Sequence, residues 1–184
     1  MKRLITICAV ILLVAGTASA VITFDEFTVG TVISNQYAGQ GVIFLPGNNT
    51  GNLPVIALDG AMPTEPVLSP NPVYAGDFGM QFTTPVTEVE FTSGYWNEIR
   101  TGIINVWSPS AFLLAGLSNT VIGVEQISIS GLGNIGWIYF NSLHDIAGAD
   151  IDNLGFTPIP APGAILLGSI GVGLVGWLRR RRTL

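Results

Sequence analysis

No stretch between Val21 and Thr157 carries a long helical period. Short apolar or alternating runs are instead broken by Gly, Pro, Asn and Ser, the pattern of strands joined by turns. The runs that qualify are Ile22–Phe27, Thr31–Ile33, Gly41–Leu45, Val55–Leu58, Met80–Thr83, Val86–Thr92, Gly102–Ser108, Ala111–Ala115, Thr120–Ile129, Ile135–Phe140 and Asp150–Phe156. So many short strands in one domain predict an all-β fold, a jelly-roll-like antiparallel sandwich of two sheets. No repeat of fixed period is present, which argues against a β-helix.

Some runs orient themselves. In Thr87-Glu88-Val89-Glu90-Phe91, side chains alternate across the pleat, so Val89 and Phe91 face the core and Glu88 and Glu90 face water. Gln126-Ile127-Ser128-Ile129-Ser130 alternates in the same way, with both isoleucines inward. Thr84-Pro85 opens the 86–92 strand, where a proline is tolerated. Residues 46–79 are rich in Pro, Gly and Asn and form the longest irregular part, the kind of segment that carries binding function.

Both ends read as addresses. Lys2 and Arg3 precede the apolar run Leu4–Ala15, and Ala18-Ser19-Ala20 fits signal-peptidase cleavage, so residues 1–20 form a signal helix and the mature chain starts at Val21. At the other end, Pro158, Pro160 and Pro162 are followed by the uncharged run 163–178 and then by Arg179, Arg180, Arg181 and Arg182. As a helix, those sixteen residues span about 24 Å. A typical membrane span needs about 20 residues. The deficit is met by Trp177 at the interface and by snorkelling arginines, and the arginine block sets the cytoplasmic side. A C-terminal transmembrane helix over 163–178 thus follows a β domain over 21–157, with 158–184 as one tail unit.

Charge is partitioned along the chain. Two of the seven basic residues lie in the leader and four in the tail. Residues 21–157 keep only Arg100 against twelve carboxylates, a net charge of −11, and contain no lysine. Nucleic-acid binding is excluded, because phosphate contacts need cations. The single cysteine, Cys8, leaves with the leader, so the domain holds itself by its core or by metal, without disulfides.

The proline, apolar and arginine tail resembles the PEP-CTERM sorting signal of Gram-negative bacteria, whose Pro-Glu-Pro motif stands here as Pro160-Ala161-Pro162. That resemblance implies export, transient anchoring in the inner membrane, and handling by an exosortase-like transpeptidase that releases the protein to the cell surface or extracellular matrix. It also implies an association with exopolysaccharide. The opening Ile22-Thr23-Phe24-Asp25-Glu26-Phe27, the stretch Phe82–Phe91 and the closing Ile151–Phe156 resemble exported carbohydrate-binding-module-like jelly rolls. In such folds the first and last strands lie together, which would bring Asp25 and Glu26 near Asp150 and Asp152.

Three chemistries can be posed on these residues. Calcium takes six to eight oxygen ligands, and Asp25, Glu26, Asp150 and Asp152 are the candidates, although no EF-hand loop is present. Sugar rings stack on aromatic faces, and the polar loop Ser93–Thr101 presents Tyr95 and Trp96 beside Asn97 and Glu98. Trp107 and Trp137 are expected in the core. Catalysis has little to draw on. His144 is the sole histidine, there is no Gly-x-Ser-x-Gly turn, and Glu88 with Glu90 reads as a solvated sheet face. The expectation is a non-enzymatic structural or adhesive surface protein. A carbohydrate-binding module is the first alternative and a secreted glycan hydrolase or lyase the second.

Overall fold

In this computed structural model the described residues are 21–160, together with 171, 173, 175–177 and 180. The chain divides into two compact units, and the unit Ser19–Ile159 carries every strand found among the described residues. Residues 1–20, expected to be a signal helix, and most of the tail, including Ala161 and Pro162, lie outside the described residues. The described tail positions 171, 173, 175–177 and 180 are helical. Among the described residues no helix is long and apolar enough to cross a membrane.

The domain is all-β and antiparallel. Its strands are β1 (Val42–Pro46), β2 (Val55–Ala57), β3 (Val67–Ser69), β4 (Asp77–Trp96), β5 (Ile103–Trp107), β6 (Leu113–Leu117), β7 (Gly123–Ile129), β8 (Ile135–Asn141) and β9 (Asp150–Pro158). Strand β4 organises the rest. Its first part pairs with β1 and β8, its last part with β7 and β9. All nine strands join one hydrogen-bonded antiparallel sheet, which the long β4 divides into two layers, β1-β4-β8-β5-β6 and β7-β4-β9-β3-β2, in a sandwich-like arrangement.

The crossing falls where the sequence weakens pairing. Ladder register shifts between Gln81 and Val86, around Thr84-Pro85. Proline has no N–H to give a ladder, so a bend costs least there. Pro85 therefore sits inside one continuous strand rather than at the start of a new one, and the two runs 80–83 and 86–92 are a single element.

Aromatic rings from the two layers meet on Phe140 of β8. Phe78 from the first part of β4 lies 5.3 Å away, while Phe91 and Trp96 from its last part lie 6.4 Å and 5.9 Å away. The alternation along β4 and β7 is as read from sequence: Val89, Phe91, Ile127 and Ile129 are buried, Glu88 and Glu90 exposed.

Two expected strands are reduced to single bridges. Ile22 exchanges 2.9 Å backbone hydrogen bonds with Leu154, which lays the start of the described domain along β9, but residues 23–30 then turn away. Val32 bridges Val55 alone. The departing turns bury Phe24, which packs edge-on against Tyr37 at 5.5 Å and Phe44 at 6.1 Å. Conversely, the irregular region 46–79 contains β3, whose Leu68 pairs with Ile151 of β9.

Candidate functional site

Strand alternation decides what the Ser93–Thr101 loop can offer. At the end of β4, Trp96 points inward and is fully buried against Phe140, with Gly102 so close to its ring that a Cβ there would strike it. The expectation that Trp96 is a ligand platform is therefore corrected: its faces are spent in the core. Tyr95, one residue earlier, points the other way and is 44% exposed.

Tyr95 lines a cleft of about 220 Å³ together with Asp59, Ala61, Tyr74, Asn97, Ala147 and Gly148. Sites for drug-sized ligands run to about 300–1,000 Å³, so this one has room for a single small ring. Its walls come from four segments: the β2–β3 loop, the β3–β4 loop, the end of β4 with the loop that follows it, and the β8–β9 loop.

Asp145, nearly buried, fastens two of them. Its carboxylate accepts the Asn97 backbone N–H at 2.9 Å, the Asn97 side-chain amide at 2.8 Å and the Thr101 hydroxyl at 2.9 Å. It also accepts the N–H groups of Ala147 and Gly148 at 3.2 and 3.1 Å. Burial pushes the Asp145 carboxyl up, but these hydrogen bonds outweigh it and hold the group below its ordinary range. Asn119 ties the neighbouring loop. Its side chain donates to the carbonyls of Glu98 and Val121 and accepts from Gly102 N–H at 2.9 Å.

Tyr74 is the third wall. Its backbone has a positive φ of 72°. It is fixed by Tyr74 N–H to Ser69 Oγ at 2.7 Å, by Ala149 N–H and Ser142 Oγ onto its carbonyl at 3.0 and 2.6 Å, and by its own hydroxyl on the Leu58 carbonyl at 2.5 Å. Gly148, with φ of +82°, passes so close beneath the Tyr74 carbonyl that a Cβ would collide with it. Asp59 accepts Ala61 N–H at 3.0 Å and so shapes its own turn.

Two residues beyond Gly148, Asp150 is fully buried with neither carboxyl oxygen hydrogen-bonded. Burial pushes its carboxyl up to about 8, the charge of Asp59 pushes the same way, and the nearby Ser69 hydroxyl, not aligned for a hydrogen bond, opposes them. Burial therefore favours the protonated, uncharged form of this carboxyl.

The four calcium candidates go to separate partners. Asp25 accepts from the Thr23 hydroxyl at 2.7 Å and Glu26 from the Tyr37 hydroxyl at 2.9 Å. Asp152 is held by Thr64 and by Asn153 N–H at 2.7 Å, while Asp150 stands alone. Among the described residues no three of His, Cys, Asp and Glu form a group that could hold a metal. Glu98 is exposed and lies outside the cleft; its backbone serves the loop, the N–H donating to Asp145 at 3.4 Å and the carbonyl accepting from Asn119 and Thr101. In the tail, Pro160 and Arg180 are exposed; Ala161, Pro162, Arg179, Arg181 and Arg182 are outside the described residues.

Trp107 and Trp137 depart from expectation. They are cross-strand partners on β5 and β8, stacked at 4.9 Å with planes 2° apart. Their neighbours Val106 and Ile138 are buried, so alternation puts the indoles on the opposite, outer face, half-buried against one another. A second depression, of about 240 Å³, crosses β7, β4 and β9 on the other layer and is lined by Glu88, Glu90, Ser128, Ser130 and Thr157. Its one aromatic lining residue, Phe156, is buried, whereas Tyr95 of the tyrosine cleft is exposed.

Nothing in the local sequence singles out Tyr74, Asp59 or Asp145 as site residues. The first two lie in the long region 46–79, already distinguished by its length and composition.

No protein-family model matches the chain, and no curated protein matches it. Among solved structures, an arabinose-bound GH51 α-L-arabinofuranosidase aligns at a TM-score of 0.42 and 12% identity, over 78% of this chain. The aligned part makes up 27% of that enzyme's length.

Proposed function

We propose that this is an exported cell-surface or matrix protein whose jelly-roll-like domain associates with exopolysaccharide in a structural or adhesive role. The observation that carries the reading is the cleft between Tyr74 and Tyr95. It pairs two aromatic side chains with the polar groups of Asn97 and Asp59, the combination that holds a sugar ring by its apolar face and orients its hydroxyls. The Asn97 amide nitrogen is committed to Asp145, which leaves its carbonyl oxygen for a ligand hydroxyl. Export rests on the two terminal signals, with signal peptidase, export machinery and an exosortase-like enzyme as partners and the membrane as a temporary anchor. The terminal assignment is tested by sequencing the ends of the exported protein. A mature start at Val21 and loss of the arginine block are expected; an intact chain in the cytosol would sink it.

The role is non-enzymatic on this reading. Glycoside hydrolysis uses two flanking carboxylates, and the cleft is lined by one, Asp59. His144 is exposed, and the Asp145 carboxylate beside it is taken up by Asn97, Thr101 and the 147–148 backbone. Binding is tested against neutral, acidic and amino-sugar oligosaccharides by calorimetry. Saturable binding lost in Tyr95→Ala is expected, with the oligosaccharide recovered unchanged. No binding to any class, or binding indifferent to Tyr95, removes the reading; steady release of shorter products would favour the hydrolase alternative.

A further inference from the structure

The four edges of the two layers are not treated alike. The outer side of β1 is occupied by Phe44 N–H on the Ser34 carbonyl at 2.7 Å and Val42 N–H on the Tyr37 carbonyl at 3.3 Å. The outer side of β2 is occupied by Ile56 N–H on the Thr31 carbonyl at 2.9 Å, Gly30 N–H on the Ile56 carbonyl at 2.8 Å and the Val32–Val55 bridge. Strand β7 carries a charge, Glu125, on its edge. Covering an edge and charging it are both ways of preventing unwanted strand pairing.

Strand β6, Leu-Leu-Ala-Gly-Leu, has neither protection. It pairs with β5 on one side, and among the described residues no backbone hydrogen bond reaches its other side. Leu113 is 54% exposed and Leu117 37%, and the preceding Phe112 is 71% exposed. No proline interrupts the strand. Its surroundings are equally unusual: Thr101 to Val124 is a run of 24 residues without a charged side chain, in a domain of net charge −11.

We propose that β6 is a self-association edge, pairing antiparallel with β6 of a second copy of this chain across a two-fold axis. The occupant follows from the charges. Two copies of so acidic a domain repel wherever carboxylates meet. The uncharged stretch lets them approach there, and at physiological ionic strength charges more than about 8 Å from the seam are largely screened. A two-fold contact uses the same patch on both sides, so the apolar edge is its own complement. The unpaired N–H and C=O groups then join a continuous sheet, as in strand addition. Leu113 is the cross-strand partner of Trp107, which stacks on Trp137, so the seam adjoins the tryptophan pair and aligns two such pairs on one outer face.

The test is sedimentation velocity of the full-length chain in a mild detergent across a concentration series. The wild type is expected to run as a monomer–dimer equilibrium. Leu113→Lys/Leu117→Lys places two charges on exposed positions of the edge and should weaken dimerisation at least about tenfold, with an unchanged far-ultraviolet spectrum. Ile146→Lys adds charge at a position 82% exposed on another loop and should leave the equilibrium alone. A chain monomeric at every concentration overturns the proposal. So does a dimer indifferent to the β6 lysines, which would place association in the tail. Should the double variant misfold, single-cysteine variants at 113 to 117 in a Cys8→Ser background decide instead: oxidation should cross-link positions on β6 and not Ser128→Cys on β7.

Discussion

Asp145 holds Asn97 twice, once by its backbone N–H at 2.9 Å and once by its side-chain amide at 2.8 Å, on the two different carboxylate oxygens. One buried anion therefore fixes a wall of the cleft by charge-assisted hydrogen bonds rather than by packing. Asp145→Asn keeps the shape and loses the charge. It also turns one acceptor into a donor that faces other donors. Such bonds contribute about 1.5–3 kcal/mol each. We expect the variant to lose roughly 2–4 kcal/mol in urea unfolding and to bind oligosaccharide more weakly even where it remains folded. Wild-type stability and affinity together would show that the clasp is dispensable.

Tyr95 and Trp96 separate binding from folding at adjacent positions. Trp96→Ala removes a fully buried ring in contact with Phe140 and should cost about 3–5 kcal/mol. Tyr95→Ala removes an exposed ring and should cost less than about 1 kcal/mol, while abolishing ligand binding. Equilibrium unfolding and calorimetry of the two variants check both halves. Equal destabilisation would mean that Tyr95 is part of the core.

Asp150 gives a pH dependence whose sign can be worked out. Its folded carboxyl is pushed up to about 8 by burial and by Asp59, while the unfolded chain releases that proton near about 3.9. Its contribution to stability is fully present below about 3.9, declines as the unfolded state ionises, and is lost as pH rises through about 8. Asp77 and Asp145, held low by hydrogen bonds that outweigh burial, act oppositely: their contribution is present above the ordinary carboxylate range and lost in acid. Asp150→Asn cannot ionise. Thermal melts at pH 5 and pH 9 should show the variant gaining on the wild type at the higher pH, by at least about 1 kcal/mol. The amide's own misfit is the same at both values and cancels. A difference independent of pH would show that Asp150 is not a buried neutral acid.

How far the sequence reveals these features depends on their range. Val89, Phe91, Ile127 and Ile129 announce their burial because alternation is a local property. Trp96 obeys the same rule: its inward direction follows from Phe91 only if β4 is known to run past Gly94 with a register shift, which the sequence does not display. Strand β3 is three residues long and hidden among prolines, too short to show a period. The Asp145 clasp joins residues 44 to 48 apart in sequence, and the Tyr74 brace links positions up to 75 apart. No window along the chain contains either. The unprotected character of β6 is half legible: the absence of charge from 101 to 124 is written in the sequence, but its place at a sheet edge comes only from topology.

Gly148 offers a test of the cleft floor with an internal control. Both Gly148 and Gly131 have positive φ, +82° and +72°, so an alanine at either pays the left-handed backbone penalty, about 1–2 kcal/mol. At Gly131 the space around a Cβ is open, whereas at Gly148 the added carbon would run into the Tyr74 carbonyl, a backbone group that two hydrogen bonds hold in place. The clash cannot be relieved by a side-chain rotation. Gly148→Ala must therefore displace the 145–149 loop or the Tyr74 strap, breaking Ala149 N–H to Tyr74 carbonyl or loosening Asp145 from the 147–148 backbone. Chemical denaturation should show Gly131→Ala losing about 1 kcal/mol and Gly148→Ala at least about 2 kcal/mol more. Ligand affinity should fall only in the second. Equal losses in the two variants, with affinity intact, would mean that the Tyr74–Gly148 contact does not set the shape of the cleft.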